Sequence, residues 1–338
     1  MKRIAENYLR LAPNLFIAFW LGGASPIQAL DVSLYAVVKG QSYVQTDANA
    51  PVLTTNNPYS FNAVVVPSGA NTVHSAAMQV PDGSLRTLEG SASGLLFSLS
   101  ETFASQSALD AKYSAGSYTF GIDTVHDGLR VLAINLLRDD YPNTPTILNL
   151  DAAQAVVATN DFTLAWEPFE NGTTNDVVQI MVLDGPGKTI YSSPALRSPG
   201  ALDGTSTSGV IPANKLQPGA NYQASLTFGR TVNYLLNFPA YFGAVGAAGY
   251  AKQTAFTLRT VSPPPPKPPR LEILSPAAGG QFQLRVTVET GHAYNLQSST
   301  NLADWLIVLT TNAAASSIDF TIPPIAKPGS QFYRAVAP

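Results

Sequence analysis

From residue 30 onward, hydrophobic and polar positions alternate in short runs that suit β-strands. Residues 117–123 show the pattern clearly, because Tyr118, Phe120 and Ile122 are apolar while the residues between them are small or polar. Gly, Pro, Asn or Asp interrupts such runs roughly every ten residues, which is typical of β-sandwiches and barrels. In the first third of the chain the pattern predicts strands at residues 32–38, 61–66, 75–80, 95–103, 117–123 and 129–137.

Helices are expected to be few, since only residues 107–113 hint at a helical turn. A chain of 338 residues is long enough for roughly two or three domains. The predicted fold class is all-β, with three tandem antiparallel β-sandwich domains that follow a signal peptide.

Two proline-containing segments predict the domain boundaries. Residues 139–145 contain two prolines and no strand pattern. Residues 263–269 contain six prolines in seven positions, which favours a semi-rigid polyproline II spacer. The predicted organisation is an N-terminal sandwich at 30–145, a middle sandwich at 146–261, a proline-rich linker at 262–270 and a C-terminal β-module at 271–338.

The first 29 residues have the pattern of a secretory signal peptide. Lys2, Arg3 and Arg10 precede the apolar run 15–21, and small residues lead to Ala29, after which we expect cleavage. The apolar run is shorter than the roughly 20 residues that cross a bilayer, so no stable membrane insertion is expected after cleavage. A short buried helix is the alternative. The predicted location is secreted or at the cell surface.

Composition narrows the classes of function. Charged residues make up 12% of the chain and the net charge is −3, so a nucleic-acid partner is not expected. The chain has no cysteine, which removes disulfides, thiol nucleophiles and thiolate metal sites. Exported chains without disulfides are common in bacteria, so we expect a bacterial origin.

A glycine shortly before a tyrosine recurs once in each predicted block. The pairs are Gly116 and Tyr118, Gly219 and Tyr222, and Gly291 and Tyr294. Related sandwiches in tandem would place glycine in a turn and tyrosine at a strand corner each time. Coincidence is the alternative, because the chain contains 25 glycines and 14 tyrosines.

The middle block resembles a fibronectin type III domain. The residues that carry the resemblance are Trp166, Pro168, Leu216, Pro218, Gly219 and Tyr222. The resemblance implies an immunoglobulin-like sandwich with a core tryptophan and a corner tyrosine whose hydroxyl bonds to the backbone upstream. The final strand would be 254–260. The block departs from the family between Phe228 and Thr254, where an enlarged loop is expected.

The last block is similar to the terminal β-module that closes many large secreted proteins of environmental Gram-negative bacteria. Residues 294–305 and 332–334 carry this similarity. It implies an accessory or surface-associating role and no enzyme activity.

The sequence contains no motif that is typical of a catalytic site. Residues 90–94 have the spacing of a nucleophile elbow but place Ala92 where the serine would stand. His74, His126 and His292 show no metal-binding spacing, so neither a metal nor another cofactor is expected. Asp123, His126 and Asp127 form the one local titratable trio, which we interpret as the chemistry of a hairpin turn at Asp127-Gly128.

Paired carboxylates are a weaker candidate for catalysis. Glu167 with Glu170, or Glu89 with Glu101, could serve a glycosidase, but spacing in sequence does not give separation in space. We interpret them as solvated residues. Residues 203–206 could contact calcium, although a calcium site needs six or more ligands. The prediction is that the protein is not an enzyme, with a distributed carboxylate site as the minor alternative.

The candidate binding surface is the aromatic segment 233–243. Its rings belong to Tyr234, Phe238, Tyr241 and Phe242, in a region where a loop would normally be polar. They could form a stacking platform for sugars or an apolar patch for a protein. The alternative is that the segment folds back onto its own core or onto the first domain.

The predicted function is that of a secreted, non-catalytic multidomain protein in adhesion or extracellular surface interaction. A carbohydrate-binding accessory protein of an extracellular polysaccharide system is the alternative. The predicted partner is an extracellular protein or polysaccharide surface.

Overall fold

The structure is a computed structural model that describes residues 31–137, 139–235, 244–261, 267–277, 281–322 and 331–337. The predicted signal peptide lies outside these residues. The chain divides into two compact units, Met1–Ser262 and Pro263–Pro338. Among the described residues, no helix is long and apolar enough to span a membrane.

The first part of the chain forms the strands that the alternating pattern predicts. A short helix α1 (Gln106–Lys112) begins after Ser105, whose side chain accepts a hydrogen bond from the backbone of Ala108. Two strands, β2 and β5, were missed by the sequence pattern. The strands are β1 (Val32–Val44), β2 (Val52–Leu53), β3 (Tyr59–Pro67), β4 (Val73–Gln79), β5 (Leu85–Gly90), β6 (Phe97–Phe103), β7 (Gly116–Thr124) and β8 (Gly128–Leu136).

The rest of the first unit is also built from strands, with one 3-10 turn at Ala152–Gln154. The strands are β9 (Phe162–Ala165), β10 (Val177–Leu183), β11 (Thr189–Ser192), β12 (Leu202–Asp203), β13 (Ser208–Ile211), β14 (Asn221–Leu235) and β15 (Val245–Arg259). Strands β9 and β13 pair in a separate small sheet.

One sheet runs through both blocks of the first unit. Its order is β11-β10-β14-β15-β1-β3-β6-β5-β4-β7-β8. The junction between the blocks is the parallel pairing of β1 with β15, from Leu34 opposite Val245 to Val44 opposite Ala255. The neighbouring pairs β14–β15 and β1–β3 are antiparallel.

The sheet curls around the first hydrophobic core. Tyr35 on β1 contacts Phe120 on β7 edge to face, with 5.5 Å between ring centroids. Phe61 on β3 stacks on Tyr113 after α1, with 3.7 Å between centroids. These contacts bring β7 and α1 over β1 and β3, so that alternate side chains of opposing strands share one core.

A second core lies in the middle block. Trp166, which follows β9 and is 1% exposed, packs with buried residues such as Ile180, Leu226 and Phe256. Its indole nitrogen donates a hydrogen bond to the carbonyl of Ser206 at 2.9 Å. The predicted core tryptophan is therefore confirmed.

The predicted enlarged loop between Phe228 and Thr254 is largely absent. The described residues 229–235 continue β14, and 245–253 form the first part of β15. The extension is stable because β15 gains β1 as a second neighbour and buries Ala248 and Tyr250 in the first core. Residues 236–243 lie outside the described residues.

The predicted boundary at 139–145 has no regular secondary structure where the structure describes it, as expected. Tyr141 nevertheless packs against Tyr250, with 4.8 Å between ring centroids, and the Pro145 carbonyl accepts a hydrogen bond from Thr254. The expected sandwiches at 30–145 and 146–261 therefore have two cores within one compact unit, joined by β15 and β1.

The second unit contains two three-stranded sheets, ordered β16-β17-β20 and β19-β18-β21. Tyr294 and Leu296 from one sheet pack in clusters with Val286 and Leu284 from the other. The strands are β16 (Arg270–Ala277), β17 (Gln281–Thr287), β18 (Ala293–Ser299), β19 (Leu306–Asn312), β20 (Ser317–Ile322) and β21 (Phe332–Val336).

Candidate functional site

Of the predicted binding surface, only Tyr234 is among the described residues. Tyr234 lies near the end of β14, is half-buried and packs against a cluster formed by Leu34, Ala36, Val64 and Ala247. Phe238, Tyr241 and Phe242 lie outside the described residues. The surface as a whole therefore remains a prediction, while the ring of Tyr234 itself packs on the sheet of the first block.

Arg197 covers the ring of Tyr234. Its guanidinium carbon lies 4.1 Å from the ring centroid, a cation–π distance. Burial raises the pKa of Tyr234 above its usual value, although the neighbouring Arg197 acts in the opposite direction. A sugar that stacked on this face of the ring would first have to displace the guanidinium.

The edge strand β19 of the second unit is an exposed apolar surface that the sequence reasoning missed. Leu306, Ile307, Val308 and Leu309 are 74%, 58%, 49% and 41% exposed. Strand β18 is its only strand partner among the described residues. The sequence signal for this surface was the uncharged run 306–312, which lies between the two segments that carry the C-terminal resemblance.

Strand β19 lacks most features that keep sheet edges from pairing with other chains. Natural edges often carry lysine, proline or a bulge. The strand contains neither charge nor proline. Its register against β18 shifts at Val308, which is a bulge between Leu309 and Ile307. The result is an exposed aliphatic row with a local irregularity at its centre.

The predicted Asp123, His126 and Asp127 trio is part of a turn. Strands β7 and β8 form a hairpin in which Thr124 lies opposite Gly128. Asp31, which the sequence reasoning did not connect with this turn, is fully buried and accepts hydrogen bonds from the backbones of His126 and Asp127. The interpretation as turn chemistry is confirmed, with Asp31 as the residue that holds the turn.

Asp31 and His126 also form an ion pair, with 2.7 Å between Oδ1 and Nδ1. Burial alone would raise the pKa of Asp31, but the hydrogen bonds from His126 and Asp127 outweigh it and hold that pKa below its usual value. The same hydrogen bond raises the pKa of His126. The pair links the start of β1 to the turn between β7 and β8.

A buried lysine occupies one end of the first core. The side chain of Lys39 is 1% exposed, and its Nζ lies 2.5 Å from Asp110 Oδ1 and 3.7 Å from Asp139 Oδ1. Gln106 Nε2 donates hydrogen bonds to Oδ2 of both carboxylates at 3.1 Å. The sequence signal was the alternation in β1, which places Lys39 on the same face as Tyr35 and Val37.

The carboxylates that the sequence pairs as a possible glycosidase site are partly or fully exposed in the structure. Glu101 binds Lys112 at 2.6 Å, while Glu89, Glu167 and Glu170 are exposed. Asp203 accepts hydrogen bonds from Thr205 within its own turn. Within the described ranges, no three His, Asp or Glu side chains cluster as a metal site would require.

Comparison with known proteins gives no family assignment. No family model matches the chain, and neither does any curated protein. Among solved structures, the FN1–FN3 domains of chicken CNTN1 are 9% identical with a TM-score of 0.22, over 88% of this chain and 93% of that chain.

Two further solved structures resemble the chain to the same extent. A tetra-tandem repeat from the extending region of a large adhesion protein is 12% identical with a TM-score of 0.22, over 90% of this chain and 74% of that one. The D1–D4 ectodomain fragment of ICAM-5 is 13% identical with a TM-score of 0.22, over 90% and 76%.

The protein belongs to the all-β class and is built from sandwich-like sheets. In the middle block, the tryptophan core and the hydrogen bond from the Gln217 backbone to Tyr222 Oη at 2.6 Å are features of immunoglobulin-like and fibronectin III-like domains. The resemblance of the last block to a bacterial terminal module remains a prediction.

Proposed function

We propose that this protein is a secreted, non-catalytic β-sandwich protein that acts in adhesion or another extracellular surface interaction. The observation that carries the proposal is the exposed aliphatic row on the edge strand β19. Water contact with four consecutive large aliphatic side chains is unfavourable, so a surface of this kind favours contact with a partner.

The chemistry of β19 selects the kind of partner. An edge strand offers backbone N–H and C=O groups to an extended polypeptide, and its side chains provide the specificity. Residues 306–312 carry no charge, so a charged partner segment would lose hydration without gaining an ion pair there. The proposed partner is therefore an extracellular protein with an extended, uncharged segment that contains aliphatic side chains.

The proposal is tested by binding of the labelled full chain to an array of short immobilised peptides of defined sequence. The variant is the double substitution Leu306→Lys and Val308→Lys, which charges the edge without touching the buried core of the unit. The matched control is Leu129→Lys, which charges an equally exposed leucine on β8.

We expect uncharged aliphatic peptides to capture the wild-type chain and the control, with at least a tenfold loss for the double variant. Equal capture of the double variant would show that β19 is not the binding surface. Capture of no peptide at all would contradict the proposed partner.

A carbohydrate-binding accessory role is the second candidate, and the four aromatic residues of the segment 233–243 favour it. Aromatic rings offer flat apolar faces on which sugars can stack, and the face of Tyr234 that Arg197 covers is not one of them. If the aromatic segment binds sugars, a glycan array captures the chain, and Tyr241→Ala with Phe242→Ala abolishes that capture while the Leu306 and Val308 variant retains it. An array without a hit removes this candidate.

A further inference from the structure

Lys39 places a buried ammonium at one end of the first core, where it pairs with Asp110. Removing an ammonium such as that of Lys39 from water costs several kcal/mol, and a hydrophobic side chain of similar volume is often as stable at such a position. Lys39 lies opposite Phe61 on β3 and Tyr250 on β15, so an aromatic residue flanks it on each neighbouring strand. An ion pair with a purely structural role would therefore contribute little net stability at this position.

The geometry around Lys39 is suited to a covalent bond. Nζ lies 2.5 Å from Asp110 Oδ1, so the amine is already beside the carboxyl carbon. Holding two reacting groups in contact replaces the encounter between separate molecules and lowers the barrier strongly. Lys39 is 1% exposed and Asp110 is 35% exposed, so the nitrogen is shielded while the carboxyl has a path to solvent.

The neighbouring polar groups supply what amide formation needs. Gln106 Nε2 donates to Asp110 Oδ2 and can stabilise negative charge that develops on that oxygen. The orientation of Gln106 is held by Gln41, whose Nε2 donates to Gln106 Oε1 at 2.9 Å. Asp139 lies 3.7 Å from Nζ and can accept and return a proton.

We propose that Lys39 and Asp110 form an intramolecular amide bond, with Asp139 as the proton relay. A proton passes from the Lys39 ammonium to Oδ1 of Asp110, the neutral nitrogen attacks Cγ of Asp110, and the new C–N bond forms as the bond from Cγ to Oδ1 breaks. The second nitrogen proton passes through Asp139 to the departing oxygen. The ammonium and the carboxylate are thus converted into one neutral amide and one water molecule, with no oxidant, reductant or cofactor.

The bond would act in the first unit as a disulfide does in other exported proteins. It would join β1 to α1 across a separation of 71 residues, and closing a long loop restricts the unfolded chain. The chain has no cysteine with which to form such a link. The amide would also replace a buried ammonium and a partly exposed carboxylate with one neutral group.

Mass spectrometry of the purified full chain tests the proposal. We expect the denatured wild-type chain to be lighter by one water molecule, about 18 Da, than its sequence requires. Tryptic digestion should yield one joined peptide that contains both Lys39 and Asp110. Asp110→Ala, which alters a partly exposed side chain on α1, should have the full mass and two separate peptides.

The outcomes separate the proposal from an ordinary ion pair. A wild-type chain that keeps its full mass after prolonged incubation in the folded state overturns the proposal. A peptide joined through Asp139 instead of Asp110 also overturns the assignment. Asp139→Asn should still fold and should form the bond more slowly, so a time course of the mass shift that is unchanged in this variant rejects the relay role.

Discussion

The hydroxyl oxygen of Tyr222 lies 2.6 Å from the backbone nitrogen of Gln217 and accepts its hydrogen bond. Two other tyrosines make related contacts. Tyr294 accepts from the backbone of Glu289 at 3.1 Å, and Tyr118 donates to the carbonyl of Ser114 at 2.6 Å. The recurring glycine and tyrosine pairs therefore mark three strand starts at which a tyrosine hydroxyl binds the backbone four or five residues upstream. Tyr118 donates to a backbone carbonyl, whereas Tyr222 and Tyr294 accept from a backbone N–H.

Tyr222→Phe should destabilise the first unit by about 1–2 kcal/mol. The ring remains in the core, but the N–H of Gln217 loses its partner. Denaturant unfolding of the full chain measures the change. Tyr43→Phe is the matched control, because the Tyr43 hydroxyl bonds to the side chains of Gln41 and Thr144, so its loss should cost less. Equal stability of Tyr222→Phe and the wild type would contradict a structural role for this hydrogen bond.

Trp166→Ala should cost roughly 3–5 kcal/mol, since it opens a cavity in the second core and orphans the Ser206 carbonyl. Trp305→Ala provides the comparison. Trp305 is partly exposed and contacts the guanidinium of Arg334 at 4.1 Å, so we expect a loss of about 1 kcal/mol or less. Chemical denaturation measures the loss of unfolding free energy in both variants. A larger loss for Trp305→Ala than for Trp166→Ala would contradict the role of Trp166 as the core tryptophan.

The Asp31 and His126 ion pair predicts a bell-shaped contribution to stability. The raised pKa of His126 means that its contribution is complete below the unfolded histidine pKa, about 6.5, and is lost as pH rises through the folded value. The lowered pKa of Asp31 means that its contribution is complete above the unfolded aspartate pKa, about 3.9, and is lost as pH falls through the folded value.

Thermal unfolding of wild type and His126→Gln across pH tests this contribution. The difference in Tm should be greatest between about pH 4 and 6.5 and should shrink on either side. His74→Gln, at an exposed position on β4, serves as the control and should not show this profile. A difference that grows above pH 8 would mean that the charged form of His126 is not the stabilising one.

Gly249→Ala should destabilise the first unit by about 1–3 kcal/mol. A Cβ at Gly249 would lie 2.3 Å from the carbonyl oxygen of Arg230, at the place where β14 and β15 pass beside β1. Gly121→Ala on β7 is the matched control, since a Cβ there meets nothing within 4 Å. We expect the control to be neutral or slightly stabilising, and denaturant midpoints compare the two. Equal changes in the denaturant midpoint for the two variants would show that β14 and β15 can move apart at Gly249 without loss of stability.

Local patterns predicted six of the eight strands of the first block, because burial on one face of a sheet imposes alternation on the sequence. The strand expected at 117–123 is β7 at Gly116–Thr124, and that expected at 129–137 is β8 at Gly128–Leu136. Tyr222 and Trp166 were predicted from the resemblance to a fibronectin type III domain, and the structure has the implied corner hydroxyl and core indole at these positions.

The sites were harder to predict because their residues are far apart in the chain. Lys39 meets Asp110 across 71 residues, and Asp31 meets His126 across 95. The side-chain period of β1 places Lys39 on the same face as Tyr35 and Val37, but it cannot show which carboxylates lie beside it. In the same way, the run 306–312 reads as an ordinary strand until the sheet order places it at an edge.

The sequence alone determined the all-β class, the positions of most strands of the first block and the corner tyrosine, because these follow from the side-chain period of two and from turn residues that act over short distances. The tertiary structure alone decided that β15 pairs in parallel with β1 and merges two expected sandwiches into one unit. Pairing between strands more than two hundred residues apart depends on which edges remain free after the local hairpins form, and no local pattern encodes that choice.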